Sequence, residues 1–172
     1  MNLRETSRLQ LREMTQADFP ALCEILQDQK TMYAYEHAFD DHEVQAWLDK
    51  NLTRYQKDGF GLFAVIQKES GKMIGQCGLT WQDIPNHPPV IEVGYLFNRA
   101  YWHNGYATEA AICCKQYAFD DLGVDEVYSI IRDINAASKR VAIRNGMKWR
   151  GQFVKHYYGI DMPHDIYSVK RT

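Results

Sequence analysis

The stretch Val90-Ile-Glu-Val-Gly-Tyr-Leu-Phe-Asn-Arg-Ala-Tyr-Trp-His-Asn-Gly-Tyr-Ala-Thr-Glu-Ala110 changes its hydrophobic period partway along, and that change constrains the fold more than any other feature of the chain. From Val90 to Phe97 it reads as a strand. Ile91, Val93, Tyr95 and Phe97 fall on one face, and Val90, Glu92, Gly94 and Leu96 on the other. Asn98 and Arg99 end the strand. From Ala107 the small and apolar residues Ala107, Ala110, Ala111, Cys114, Ala118 and Leu122 recur at three and four, as on a helix, with Gly123 as its stop. Between the two lies Trp102-His103-Asn104-Gly105-Tyr106. A strand, a short glycine-containing turn and a helix start leave backbone N–H groups without partners at the positive end of the helix dipole. That is a seat for a phosphate.

The flanking segments build a layered domain around this unit. Thr6 to Glu13 alternates, with Leu9 and Leu11 inward, and reads as a first strand. Thr15 and Asp18 mark a helix start, followed by Phe19, Leu22, Cys23 and Leu26 at helical spacing. Asp40 opens a second helix whose inner stripe is Val44, Trp47, Leu48, Leu52 and Tyr55, and Gly59 closes it. Phe60–Gln67 and Met73–Trp81 form a hairpin, in which Gly75 and Gly78 indicate close backbone contact or a bulge. Glu126–Arg132 is a further strand. Asn135–Asn145 is a short helix with Ala137, Val141 and Ala142 inward and Gly146 as its stop. Lys148–Tyr158 and Asp165–Lys170 close the chain as strands. Trp47 and Trp81 read as core residues. Residues 1–172 thus form a single α/β domain, a mixed sheet with helices on both faces.

Several function classes drop out. A net charge of −2 argues against a nucleic-acid or anionic-membrane footprint, and leaves a cationic substrate unrepelled. Cys23, Cys77, Cys113 and Cys114 show no C-x-x-C spacing, and the histidines show no ligand spacing, so no metal site is expected. The N-terminus has no apolar leader core, and no apolar run approaches the ~18 residues of a membrane span. A cytoplasmic protein with reduced thiols is the expectation. The Rossmann and Walker patterns are absent, because Gly105 is the one glycine in the turn.

Trp102-His-Asn-Gly105-Tyr-Ala107-Thr-Glu-Ala resembles the pyrophosphate loop of the GNAT acetyltransferases, (Arg/Gln)-x-x-Gly-x-(Gly/Ala). It is most similar to the subgroup that acetylates ribosomal-protein N-termini. Asn135-Ala-Ala-Ser138, followed by Asn145-Gly146-Met147, resembles a second block of that subgroup, and Arg8-Leu-x-Leu-Arg12 also fits. In two places the chain departs from the pattern. Trp102 stands where the superfamily has Arg or Gln, and His103 stands where the subgroup has Gly, a position that would require φ > 0.

The resemblance implies a mostly antiparallel sheet of about seven strands with about four helices, in which strands 90–97 and 126–132 splay apart to bind acetyl-CoA. A bulge at Gly94 would open that gap. Trp102, His103, Asn104, Gly105, Tyr106, Ala107 and Thr108 would form the pyrophosphate loop, using the N–H groups of Asn104 to Thr108. Tyr95, Leu96 and Phe97 would offer a strand edge to the pantetheine. The acceptor would be a primary amine, on a protein N-terminus or a small molecule, and the protein a monomer or homodimer.

Acetyl transfer to an amine needs a base, donors for the oxyanion and an acid for the leaving thiolate. Glu92, which interrupts an apolar strand, is the candidate base; a structural carboxylate is the alternative. Backbone N–H groups near Tyr95 and Leu96 would serve the oxyanion. The resemblance assigns Ser138 to thiolate protonation and Asn135 to the donor, although Asn135 is equally an N-cap. Tyr157, Tyr158 and Tyr167 are alternative acids. Tyr33, Tyr35, His37 and the segment His156 to Asp161 are irregular and polar-aromatic, and are either the acceptor side or ordinary surface loop. A non-catalytic CoA-binding module or sensor is the competing function.

Overall fold

The computed structural model describes residues 4–157 and 159–172. These form one sheet of eight strands: β1 Arg4–Glu5, β2 Leu9–Arg12, β3 Leu62–Gln67, β4 Met73–Gln82, β5 Val90–Phe97, β6 Glu126–Arg132, β7 Lys148–Tyr157 and β8 Ile160–Lys170. The α-helices are α1 Phe19–Leu26, α2 Asp41–Asp58, α3 Tyr106–Asp120 and α4 Ala136–Arg144. The spatial order is β1-β2-β3-β4-β5-β6-β8-β7. Every neighbouring pair is antiparallel except β5 and β6. The sheet is therefore the expected one, extended by the short β1. Tyr158 and the first three residues of the N-terminus lie outside the described residues.

Alternation along β3 divides the core in two. Phe63 and Val65 face α3 and α4 together with Leu79, Val93 and Val127. Leu62, Ala64 and Ile66 face α1 and α2, against Leu22, Ile25, Val44 and Leu48. Both faces being covered, β3 is buried from Leu62 to Ile66. The α2 start is a capping box: the Asp40 carboxylate accepts from Glu43 N–H (2.8 Å) and the Glu43 carboxylate from Asp40 N–H (3.2 Å). Asp40→Ala is expected to lower stability by about 1 kcal/mol, read as a shift in the urea midpoint. An unchanged midpoint would show that solvent satisfies the helix end equally well.

Several local expectations are corrected. The helix ends at Asp120, so Leu122 lies beyond it and is 36% exposed. Ala137 is exposed, because the inward stripe of α4 begins only at Val141. The last strand begins at Ile160 rather than Asp165. Trp81 is 49% exposed. Gly94 makes no bulge: the β4–β5 register runs unbroken from Gly75 opposite Phe97 to Gln82 opposite Val90. Gly78 instead serves close approach, since a Cβ there would lie 2.0 Å from Gly61 O.

Candidate active site

The parallel pair β5–β6 holds at one register position, Glu92 opposite Tyr128, and two side chains end it. Asn98 N–H bonds Ile74 O (2.9 Å) in the unbroken β4–β5 register, which turns even-numbered β5 residues toward β4 and odd-numbered ones toward β6. Val93 O thus faces β6, where it accepts from Ser129 Oγ (2.8 Å). Ile130 N–H, which a continued ladder would use, bonds Glu92 Oε2 instead (2.8 Å). Beyond this block the strands part without any bulge. The main chain of Tyr95 and the N–H of Phe97 face the gap. Leu96 N–H is turned toward Gln76 of β4, so the expectation that it serves an oxyanion is overturned.

A cavity of about 420 Å³ opens at the parting. It is walled by Glu92, Gly94, Tyr95 and Leu96 of β5, Ser129 to Arg132 of β6, Ser138 of α4 and Asn135 just before it. Trp47, Lys50 and Arg54 of α2, with Tyr35, Lys155, Tyr157 and His164, are also in the lining. Glu92, Asn135 and Ser138 therefore meet in one space. Burial pushes the Glu92 carboxyl up to about 6, against the opposing pull of Lys155, Ile130 N–H and Arg54. A carboxylate with that value is mostly ionised at neutral pH yet basic enough to take a proton.

Asn135 is the N-cap of α4. Its Oδ1 accepts from Ser138 N–H (3.2 Å) and from Tyr33 OH (2.9 Å). Ser138 O accepts from Tyr95 OH (2.7 Å), and burial raises the Tyr95 pKa. This bond ties β5 to α4 across the gap. Of the alternative acids, Tyr157 lines the cavity, whereas Tyr167 is packed in the α3-side core. Among the candidates for the acceptor side, Tyr35 lines the cavity. His37 bonds Glu43 (2.8 Å), and His156 pairs with Asp161. Trp47, expected in the core, packs against the α1–α2 side of it and also reaches the cavity wall, with its indole N–H on Gln76 Oε1 (2.8 Å).

The turn before α3 is held from several sides. Trp102 is packed against the core and donates its indole N–H to Phe97 O (2.9 Å), so its side chain braces the turn instead of facing a ligand. Phe97 itself is buried. Asn104 Nδ2 donates to Tyr101 O (3.2 Å) and Trp102 O (2.9 Å). His103 adopts φ +64° and Gly105 φ +78°, so the left-handed residue expected at 103 is a histidine. The first main-chain bond of α3 is Glu109 N–H to Gly105 O (3.0 Å), which leaves the N–H groups of Tyr106, Ala107 and Thr108 ahead of it.

Arg8 of the β1–β2 hairpin is the clamp that residue-by-residue reading missed. It donates to Asn104 O (2.9 Å) and Glu109 Oε2 (2.7 Å), with its guanidinium 4.4 Å from the centre of the Tyr106 ring. Burial works against the Glu109 charge, but bonds from Thr6 and Arg8 hold its carboxyl below the usual range. An outward arginine at a strand start looks solvated. The signal was the recurrence of Arg8 and Glu109 in the motifs quoted for one family.

The model of the acetyltransferase (GNAT) domain matches residues 8–148. YnaD of Bacillus subtilis (strain 168), an uncharacterized N-acetyltransferase, is 30% identical over 151 residues, covering 87% of this chain and 85% of that protein. The GNAT-family acetyltransferase of Bacillus anthracis superposes with a TM-score of 0.84 at 23% identity, covering 98% of each chain. RimL, a ribosomal L7/L12 alpha-N-protein acetyltransferase solved with coenzyme A, superposes with a TM-score of 0.79 at 17% identity, again covering 98% of each chain.

Proposed function

The chain belongs to the GNAT acetyltransferase family, and from that premise we propose that it transfers an acetyl group from acetyl-CoA to a primary amine by direct attack, with Glu92 as general base. The observation that carries this reading is the position of Glu92. Its carboxylate stands in the cavity where β5 and β6 part, with Oε2 anchored on Ile130 N–H and its pKa pushed up to about 6.

The donor supplies an acetyl thioester, already activated toward nucleophiles. The N–H groups of Asn104 to Thr108, with space above Gly105, fit its pyrophosphate. The Tyr95 carbonyl and Phe97 N–H fit the amides of an extended pantetheine. Glu92 takes the proton that the ammonium form must lose, since amines titrate near ~8 to ~10.4. Tyr95 N–H stabilises the oxyanion. Ser138, on the opposite wall, returns a proton to the thiolate, and Asn135, which caps α4, contacts the pantetheine.

Acetyl-CoA is expected to stabilise the folded protein by RT ln(1 + [L]/Kd), about 2.7 kcal/mol at 100 Kd, seen as a rise in Tm. The same protein should consume donor when screened against amine classes, N-terminal peptides included because RimL acts on a protein α-amine. No shift at millimolar donor would end the reading. A shift without consumption by any amine would favour a CoA-binding module.

A further inference from the structure

The wall of the cavity around Glu92 is strongly cationic, in a chain whose net charge is −2. Lys50, Arg54, Arg132 and Lys155 line it, against Glu92 as the one lining carboxylate. Several basic residues elsewhere pair with acids: Arg4 with Asp121, Arg8 with Glu109, Arg12 with Asp18, Arg99 with Asp28 and Lys139 with Asp165. The four on the wall form no ion pair with a described residue. Arg132 donates to the main-chain oxygens of Tyr33 (3.3 Å) and Ala34 (3.2 Å), while its buried Nε lacks an acceptor among the described residues. Arg54 donates to Asn51 Oδ1 (3.3 Å) and feels the Asp58 and Glu92 carboxylates without pairing with either. The Lys155 ammonium lies 5.9 Å and 5.7 Å from the Phe153 and Tyr157 ring centres.

Fold stability does not ask for this arrangement. Lys50 and Arg54 are like charges four apart on one helix face, a destabilising spacing. The donor's phosphates do not account for it either, because the cavity is lined by no residue between 98 and 120, where the pyrophosphate seat lies. A cleft walled by one sign of charge concentrates ligands of the other and repels its own. The overall net charge was therefore a poor guide: a polycation is repelled at the place that matters.

Resting on the acetyl-transfer reading above, we infer that the acceptor is an amine that also carries an anionic group, a carboxylate or phosphate held by Lys50 and Arg54 while its nitrogen meets Glu92. The positive wall serves the reaction twice. It draws the anionic end in, and it disfavours the ammonium form of the nitrogen, which must lose its proton before attack.

The test is donor consumption on matched acceptors: amino acids against their amides, amino-alkyl phosphates against amino alcohols, acidic N-terminal peptides against their Asn or Gln isosteres, and spermidine. The acid member is expected to exceed its neutral partner at least tenfold in kcat/KM. Whichever pair gives the largest ratio identifies the source of the anion. Lys50→Met and Arg54→Met should collapse the ratio toward one through KM, while the donor-induced Tm rise persists and shows the variants to be folded. Equal rates for acid and amide, a preference for spermidine, or a ratio unmoved in both variants would overturn the inference and leave acetyl transfer standing. Consumption by none of these amines would overturn both.

Discussion

Glu92→Gln lowers kcat/KM at pH 7 by two to four orders of magnitude, the range that a positioned general base supplies. The donor Kd stays as in the parent protein. The substitution isolates charge from shape, because a glutamine Oε1 can still accept from Ile130 N–H and keep the strands apart as Glu92 does. The pH profile provides the second readout. Burial raises the carboxyl to about 6, so lowering the pH through that value protonates the base, and kcat/KM falls on the acid side and levels off above it. The variant should lack that limb. Initial rates across pH 5 to 8 decide the matter: a Glu92→Gln enzyme with the parental rate and the parental acid limb would make Glu92 a spacer and move the base elsewhere.

Gly105→Val weakens donor binding, raising Kd by about two orders of magnitude, roughly 2.8 kcal/mol. Two effects combine. Gly105 sits at φ +78°, where an L-residue loses on the order of 1–2 kcal/mol, and a β-branched one more. Its added Cβ would lie 3.5 Å from Arg8 Nη2, with two methyl groups filling the space that a phosphate needs. Gly123→Val separates the contributions. Gly123 has φ +66° with nothing within 4 Å of an added Cβ, and it lies past the end of α3. It should lose stability in urea much as Gly105→Val does, yet titrate with donor like the parent. If Gly105→Val keeps the parental Kd, the phosphates bind at another place.

How much of this was legible depended on whether the determinant was local. The strand–turn–helix unit could be read because the period change from two to 3.6 is written in consecutive residues, and Glu126–Arg132 emerged with the observed bounds. The caps at Asp40 and Asn135 were legible for the same reason. Leu122 and Ala137 failed because helical phase alone does not say where the partner surface stops. Gly94 failed because the gap needs no backbone irregularity: Ser129 and Glu92 satisfy the parting strands with side chains from opposite sides. Glu92 was therefore both the structural carboxylate and the candidate base that the sequence offered as alternatives. The cationic wall was invisible for a different reason. Its members come from α2, β6 and β7, each looking like an ordinary solvated charge until the fold gathers them.

The clamp of Arg8 on Glu109 and Asn104 ties the turn before α3 to a distant part of the chain. Arg8 and Glu109 are 101 residues apart, and joining chain points that distant costs on the order of 4 kcal/mol of loop-closure entropy before anything is gained. That loop is already shortened once β2, β3, β4 and β5 have paired in sequence. The brace on the turn at 102–108 therefore costs least once the sheet from β2 to β5 is in place, although the residues of the turn are contiguous. A peptide covering the loop and α3 would carry the whole motif and lack the brace.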